Sequence, residues 1–206
     1  MEGRKIRQQE KKIDKTFNIS TDGLREWRNK HLYNRTESTP YRSLEALFKE
    51  LKLKEDDVFV DFGSGKGRVV FYLNSLYDCY IKGIEAKPTT YDDAILNLEN
   101  YSNNIKNYNN KIQFYFTTAE NYEIDKNDNH FYFFNPFSVV IFKKVISNIL
   151  KSFKENPREI TLIIFYTIEE YREFIQNQTE FELTSRIKTP NQSDKYQQFL
   201  IYKLTV

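Results

Sequence analysis

Cysteine is almost missing from this chain of 206 residues. Cys79 stands alone, so no disulfide can form within the chain, and with two histidines there is no Cys/His set at metal-ligand spacing. A reducing compartment is expected and a bound metal is not. The sequence also lacks any run approaching the roughly 20 apolar residues of a membrane span. Its opening, Met1-Glu2-Gly3-Arg4-Lys5, leads into charged sequence without the apolar core of a signal peptide. The expectation is a cytoplasmic protein with no membrane contact. A global basic field is lacking too, because net charge is only +2, which argues against a dedicated nucleic-acid binder. Arg4, Lys5, Arg7, Lys11, Lys12 and Lys15 are a local exception, read either as a solvated terminal helix or as an arm that touches phosphate. Glycine is scarce as well, and three of the six stand together at 63, 65 and 67.

What is present suits one folded domain. Charged residues make up 29% and aromatic residues 16%, enough polarity for solubility and enough ring surface for a core and a pocket. Residues 1–42 read as an N-terminal helical extension or lid, and 43–206 as the main domain. No internal repeat occurs. The Asn/Lys/Tyr-rich stretch from Asn100 to Lys111 reads as a helix end plus surface loop.

Leu44, Leu47, Phe48 and Leu51 follow a helical period, with Pro40 just ahead of it. Strands are expected at Val58–Phe62, Tyr80–Glu85, Ile112–Phe116, Phe131–Phe134 and Ile160–Tyr166, with helices between them. That alternation predicts right-handed crossovers and a parallel sheet. The run Phe131-Tyr132-Phe133-Phe134 is apolar throughout and belongs at the sheet centre. The last two runs, Phe181–Ile187 and Gln198–Leu204, have only a polar loop between them and should pair as a hairpin. The fold class is therefore α/β: a Rossmann-like, mostly parallel seven-stranded sheet with a C-terminal antiparallel hairpin and an N-terminal helical extension.

The turn Gly63-Ser64-Gly65-Lys66-Gly67 follows the first strand and opens a helix, which is where a doubly wound sheet binds its ligand. Glu85 closes the second strand, placed to accept hydrogen bonds from the hydroxyls of a ribose. These two features leave dinucleotides and S-adenosylmethionine both open. Asp61, just before the glycines, separates them, because dinucleotide enzymes usually carry an apolar residue there.

Val58 through Arg68 resembles the first motif of the class I S-adenosylmethionine-dependent methyltransferases, and Ile84-Glu85 resembles their second. The resemblance implies S-adenosylmethionine as cofactor, Asp61 near its methionine end, Gly63, Ser64, Gly65 and Gly67 around it, and Glu85 at the ribose. Thr118-Ala119-Glu120 is similar to the segment that contacts the adenine edge, which assigns Ala119 and Glu120. Thr36-Glu37-Ser38-Thr39-Pro40-Tyr41 resembles a segment of several protein-lysine methyltransferases that closes over the methionine carboxylate, which assigns Thr39 and Tyr41. Asp14 to Gly23 is similar to an N-terminal segment of bacterial methyltransferases of unassigned substrate.

For the acceptor the informative residues are Asn135, Pro136 and Phe137. They resemble the Asn/Asp-Pro-Pro-aromatic motif of amino-methyltransferases with one proline missing, and Asn135 also borders the cofactor there. The resemblance implies that the Asn135 side-chain oxygen and a backbone carbonyl accept the acceptor's N–H bonds while Phe137 stacks on it. The plain alternative is a strand-ending turn with Phe137 in the core. His31, His130, Lys66, Arg68 and Cys79 rank lower, with His130 expected at the surface and Cys79 buried. The expected activity is S-adenosylmethionine-dependent methyl transfer to an amine-bearing acceptor, a protein lysine or a small molecule. RNA or DNA adenine amines and a non-catalytic cofactor-binding module are the alternatives.

Overall fold

The computed structural model describes residues 2–23, 32–34, 37–106, 108–190, 194 and 196–206, with side chains from residue 7 onward. Trp27, His31 and Thr36 lie outside the described residues. Seven strands form one sheet: β1 Val58–Phe62, β2 Tyr80–Glu85, β3 Ile112–Phe116, β4 His130–Phe134, β5 Ile160–Phe165, β6 Glu182–Lys188 and β7 Gln198–Leu204. Their order is β3-β2-β1-β4-β5-β7-β6. β1 to β5 run parallel, and β7 enters antiparallel between β5 and β6, bonding to both. The fold class read from the sequence is the one observed. The order adds that the hairpin folds its second strand inward, leaving β6 at the edge.

Strand alternation splits the core into two layers. Phe59, Ile81 and Tyr132 face one cluster, together with α2 (Tyr41–Glu50), α3 (Arg68–Asn74) and α4 (Pro88–Asn104). Val60, Phe62, Phe131 and Phe133 face the other, with α5 (Val139–Glu155) and α6 (Glu169–Gln178). α2 follows Pro40 and buries Leu44, Leu47 and Phe48, the stripe its spacing dictates. α4 starts with Pro88 in its first turn, where a missing N–H costs nothing.

The N-terminal helix α1, Glu2–Thr16, docks on the first layer through buried charge. Glu10 ion-pairs with Arg68, the first residue of α3, while Asp14 accepts from the Tyr41 hydroxyl (2.7 Å), the Thr21 hydroxyl (2.8 Å) and the Thr21 N–H (2.8 Å). Arg68 also donates to the Thr21 hydroxyl at 2.7 Å, and its guanidinium lies 4.7 Å from the centre of the Tyr41 ring. Burial holds the Glu10 carboxyl above its ordinary range even with Arg68 beside it. No helix among the described residues is long and apolar enough to cross a membrane.

His130 departs from expectation. It opens β4 and is buried, with its ring against Asn129 (3.1 Å) and Asp57 (3.8 Å), and burial lowers its pKa. Its place in the central strand, beside Phe59 of β1, is what takes it from the surface.

Candidate active site

β1 and β4 are neighbours, but the chain leaves β1 toward one side of the sheet and β4 toward the other, so a crevice opens beyond their C-terminal ends. The glycine turn fills one side of it. The N–H groups of Gly63 and Ser64 both donate to the Ile84 carbonyl, at 2.9 and 3.0 Å, tying the turn to β2. Gly63, Gly65 and Gly67 all have positive φ, a region costly for any residue with a Cβ. At Gly63 sterics add to this, since a Cβ there would sit 2.7 Å from the Pro136 Cβ. The turn and the loop after β4 are therefore in direct contact.

Two carboxylates lie under the turn. Glu85 accepts from the Gly65 N–H (3.0 Å) with one oxygen and from the Lys87 N–H (2.8 Å) with the other. Burial still raises its pKa, and those backbone donors pull it back down. Asp61 is only 3% exposed and accepts no hydrogen bond from any described residue. Burial, with the Glu85 charge nearby, pushes its carboxyl well above the usual range. A buried carboxyl without a donor stays protonated unless a cation comes to pair with it.

Two cavities flank the crevice. The first, of about 50 Å³, is lined by Gly63, Glu85, Ala119, Pro136 and Phe137 on the sheet side and by Tyr33, Asn34 and Glu37 on the other. Nucleotide-sized ligands need roughly 300 Å³ or more, so part of the lining must give to admit one. The second cavity, about 440 Å³, lies beyond β4 and β5 and is lined by Asn34, Glu37, Phe134, Asn135, Phe165, Tyr166, Asp194 and Gln197. The Tyr166 hydroxyl donates to Asp194 at 2.8 Å. Asn135 and Tyr166 each follow a strand and each has positive φ, 39° and 56°. For a tyrosine this is rare and is the kind of strain that collects at functional loops.

The wall between the cavities is pinned by backbone. Tyr33 pairs antiparallel with Phe137, the Asn34 N–H donates to the Pro136 carbonyl (3.0 Å), and the Ser138 N–H donates to the Leu32 carbonyl (2.8 Å). The Asn34 side-chain nitrogen donates to the Asn135 carbonyl at 2.7 Å and reaches the Asn135 Oδ1 at 3.2 Å. The Tyr33 hydroxyl donates to Glu120 at 3.2 Å, and burial beside that carboxylate pushes the phenol up to about 12.

Of the residues singled out from the sequence, Gly63, Glu85, Ala119, Pro136 and Phe137 meet at the first cavity and Asn135 at the second. Asp61, Ser64, Gly65 and Gly67 form the turn and its floor. Thr39 is buried with its hydroxyl 2.7 Å from that of Tyr132, the residue paired with Asp61 across β1 and β4. Tyr41 is not brought to either cavity, because its ring is buried under Arg68 and its hydroxyl is held by Asp14. Glu120 is drawn to Tyr33, and Phe137 packs edge-on to Phe133 in the core instead of reaching the second cavity. The rings in that cavity are Phe134, Phe165 and Tyr166; sequence reasoning missed the last two along with Asn34 and Asp194, which no local pattern marks. Among the described residues no cluster of three or more His, Cys, Asp or Glu could hold a metal.

Comparison with known proteins bears on the family and the fold. A family described as Histone methylation protein DOT1 matches residues 20–189. The human methyltransferase 10 domain containing protein has a similar structure, with a TM-score of 0.63, 12% identity, and 97% of this chain and 95% of that one covered. An rRNA methylase from Streptococcus thermophilus gives a TM-score of 0.56 at 14% identity over 83% of this chain and 99% of that one. An RNA methyltransferase from Salinibacter ruber, solved with S-adenosyl-L-homocysteine, gives 0.52 at 14% identity over 82% and 94%. No curated protein matches the sequence at a significant level.

Proposed function

Because the chain belongs to the DOT1 family, a family of S-adenosylmethionine-dependent methyltransferases, we propose that it methylates an amine, with a protein lysine as the first choice of acceptor. The residues present fit the cofactor. Asp61, buried and lacking a donor, would take its ammonium group, and Glu85 keeps lone pairs free to accept from ribose hydroxyls while the Gly65 and Lys87 N–H groups hold it still. The open backbone of Gly63 and Gly65 lets a ligand approach closely. When bound, S-adenosylmethionine supplies an electrophilic methyl group on a sulfonium sulfur.

What the protein supplies is position. An attacking amine must be neutral, with its lone pair on the methyl-sulfur axis, so oxygen acceptors that orient its N–H bonds matter more than a strong base. Asn135 offers two such oxygens in a turn of positive φ, on the wall of the second cavity. The proton that the methylated nitrogen then sheds passes to solvent through the second cavity.

The observation that carries the choice of acceptor is the lining of that cavity: carboxylates of Glu37 and Asp194, rings of Phe134, Phe165 and Tyr166, and no basic side chain among the described lining residues. Such walls suit an approaching alkylammonium, through charge and ring faces, and offer nothing to a phosphate backbone. The RNA methylases among the similar structures keep a base amine as the second reading. Transfer of labelled methyl from S-adenosylmethionine into a cell extract, divided into protein, RNA, DNA and small molecules, decides between them. Label in protein, or in small amines, supports the proposal; label confined to RNA or DNA overturns it. Asn135→Ala should then cut transfer by roughly 100-fold while leaving cofactor affinity within about 2-fold, the mark of an orienting group.

A further inference from the structure

The nitrogen that Asn135 would orient already has an occupant. The Asn34 side-chain amide donates to the Asn135 carbonyl at 2.7 Å and lies 3.2 Å from its Oδ1, so one nitrogen bridges both oxygens. Those are the two contacts assigned above to an acceptor amine. Asn34 belongs to the walls of both cavities, and its own backbone is fixed over the loop by the Pro136 carbonyl.

We infer that Asn34 is an intramolecular surrogate for the acceptor nitrogen: it holds the place of the amine until an acceptor displaces it, and so sets how strongly an acceptor must bind. The inference rests on the amine reading of Asn135. Two features make the exchange feasible. Asn34 is solvent-exposed, so its side chain can swing out without unpacking the core. The hydrogen bonds given up are replaced in kind by those of the entering amine, and water takes over the amide. While Asn34 is in place, each of the two oxygens already has a donor, and an entering donor competes with it. An acceptor whose nitrogen carries two hydrogens, or one that brings ring or charge contacts to Phe134, Phe165 and Asp194, competes best.

A surrogate lowers acceptor affinity by the fraction of molecules in which it has swung away, and removing it restores the intrinsic value. The test uses the whole chain saturated with S-adenosylhomocysteine and n-butylamine as probe, followed by calorimetry and by the 15N–1H signals of the Asn34 side-chain amide. In the native protein, butylamine should shift those signals toward the values of a solvated amide, along the same curve as its binding heat. Asn34→Ala should bind butylamine about 3- to 10-fold more tightly, the worth of a net hydrogen bond or two, when both proteins are compared at saturating S-adenosylhomocysteine. If butylamine binds both proteins equally, or the variant more weakly, the amine reading survives and the surrogate role is overturned. If S-adenosylhomocysteine binds and butylamine binds neither, the amine reading itself fails, and the surrogate role with it.

Discussion

Asp61 and Glu85 are buried near the C-terminal ends of adjacent strands, and the Glu85 charge raises the cost of ionising Asp61, yet only Glu85 has donors to offset its burial. The pair is an unfinished arrangement that a bound cation would complete.

Asp61→Asn should therefore stabilise the ligand-free protein and abolish its affinity for S-adenosylhomocysteine. The sign follows from the raised carboxyl. Below about pH 4 the acid is protonated both folded and unfolded, and it costs nothing. As pH rises the unfolded chain ionises first, so the native protein loses stability up to its own, higher pKa. The variant lacks that loss. Its melting temperature should match the native one near pH 4 and exceed it by about 2–4 °C at pH 7, for a difference near 1 kcal/mol. Thermal scans at both pH values check this; a variant less stable at pH 7 than at pH 4, relative to the native protein, would sink it.

Gly63→Ala should lower stability by about 2–3 kcal/mol and cofactor affinity with it, because the new Cβ meets Pro136 at 2.7 Å in a backbone with φ of 78°. Gly23 provides the control. Its φ is 104° with nothing within 4 Å, so Gly23→Ala should cost only the conformational strain, about 1–2 kcal/mol. Urea denaturation of both variants separates clash from strain, and equal losses would argue against the Pro136 contact.

Arg68→Met takes the cation away from Glu10, which is half-buried, and from Asp14, which keeps its donors from Tyr41 and Thr21. A loss of roughly 3 kcal/mol is expected, as for other buried pairs broken on one side. Adding Glu10→Gln should return part of it, since one of the two acids goes too. A double variant no more stable than Arg68→Met would show that the network is not held by charge.

Cys79 should be silent toward thiol reagents in the native protein. It is 0% exposed, and burial together with the Asp57 charge pushes its thiol up to about 12. A disulfide reagent at pH 8 should label the urea-unfolded chain completely and the folded one negligibly. Rapid labelling of the folded protein contradicts the packing described.

The fold was legible where local pattern carries it. β1 to β5 announce themselves as short apolar runs, with the expected helix between successive strands everywhere but from β3 to β4, where a single 3-10 turn, Ala119–Asn121, stands instead, and the left-handed turn as glycines crowded into a glycine-poor chain. The position of β7 was half legible: its pairing with β6 follows from the short polar loop between them, but its insertion beside β5 depends on a match of sheet edges that no local stretch encodes. The site shows the same division. Asp61 and Glu85 stand out because a charge at a strand end is unusual. Asn34 meets Asn135 across 101 residues of sequence, and Tyr166 meets Asp194 across 28, so nothing near either residue signals the contact. Tyr41 and Phe137 show that an aromatic beside a recognisable segment can also serve the core: Tyr41 packs beneath Arg68, and Phe137 lines the first cavity while packing edge-on to Phe133.

The placing of β7 inside the sheet has a consequence for how the protein is made. β6 finds its strand partner only in β7, and β5 finds in β7 its second neighbour. Until residues 198–204 have left the ribosome, β5 presents a bare apolar edge and β6 has nothing to pair with. Completion of the sheet waits for its last-made strand. A polypeptide stopped at Thr189, where the family resemblance ends, would carry every glycine and carboxylate of the turn and still be left with an open edge prone to self-association.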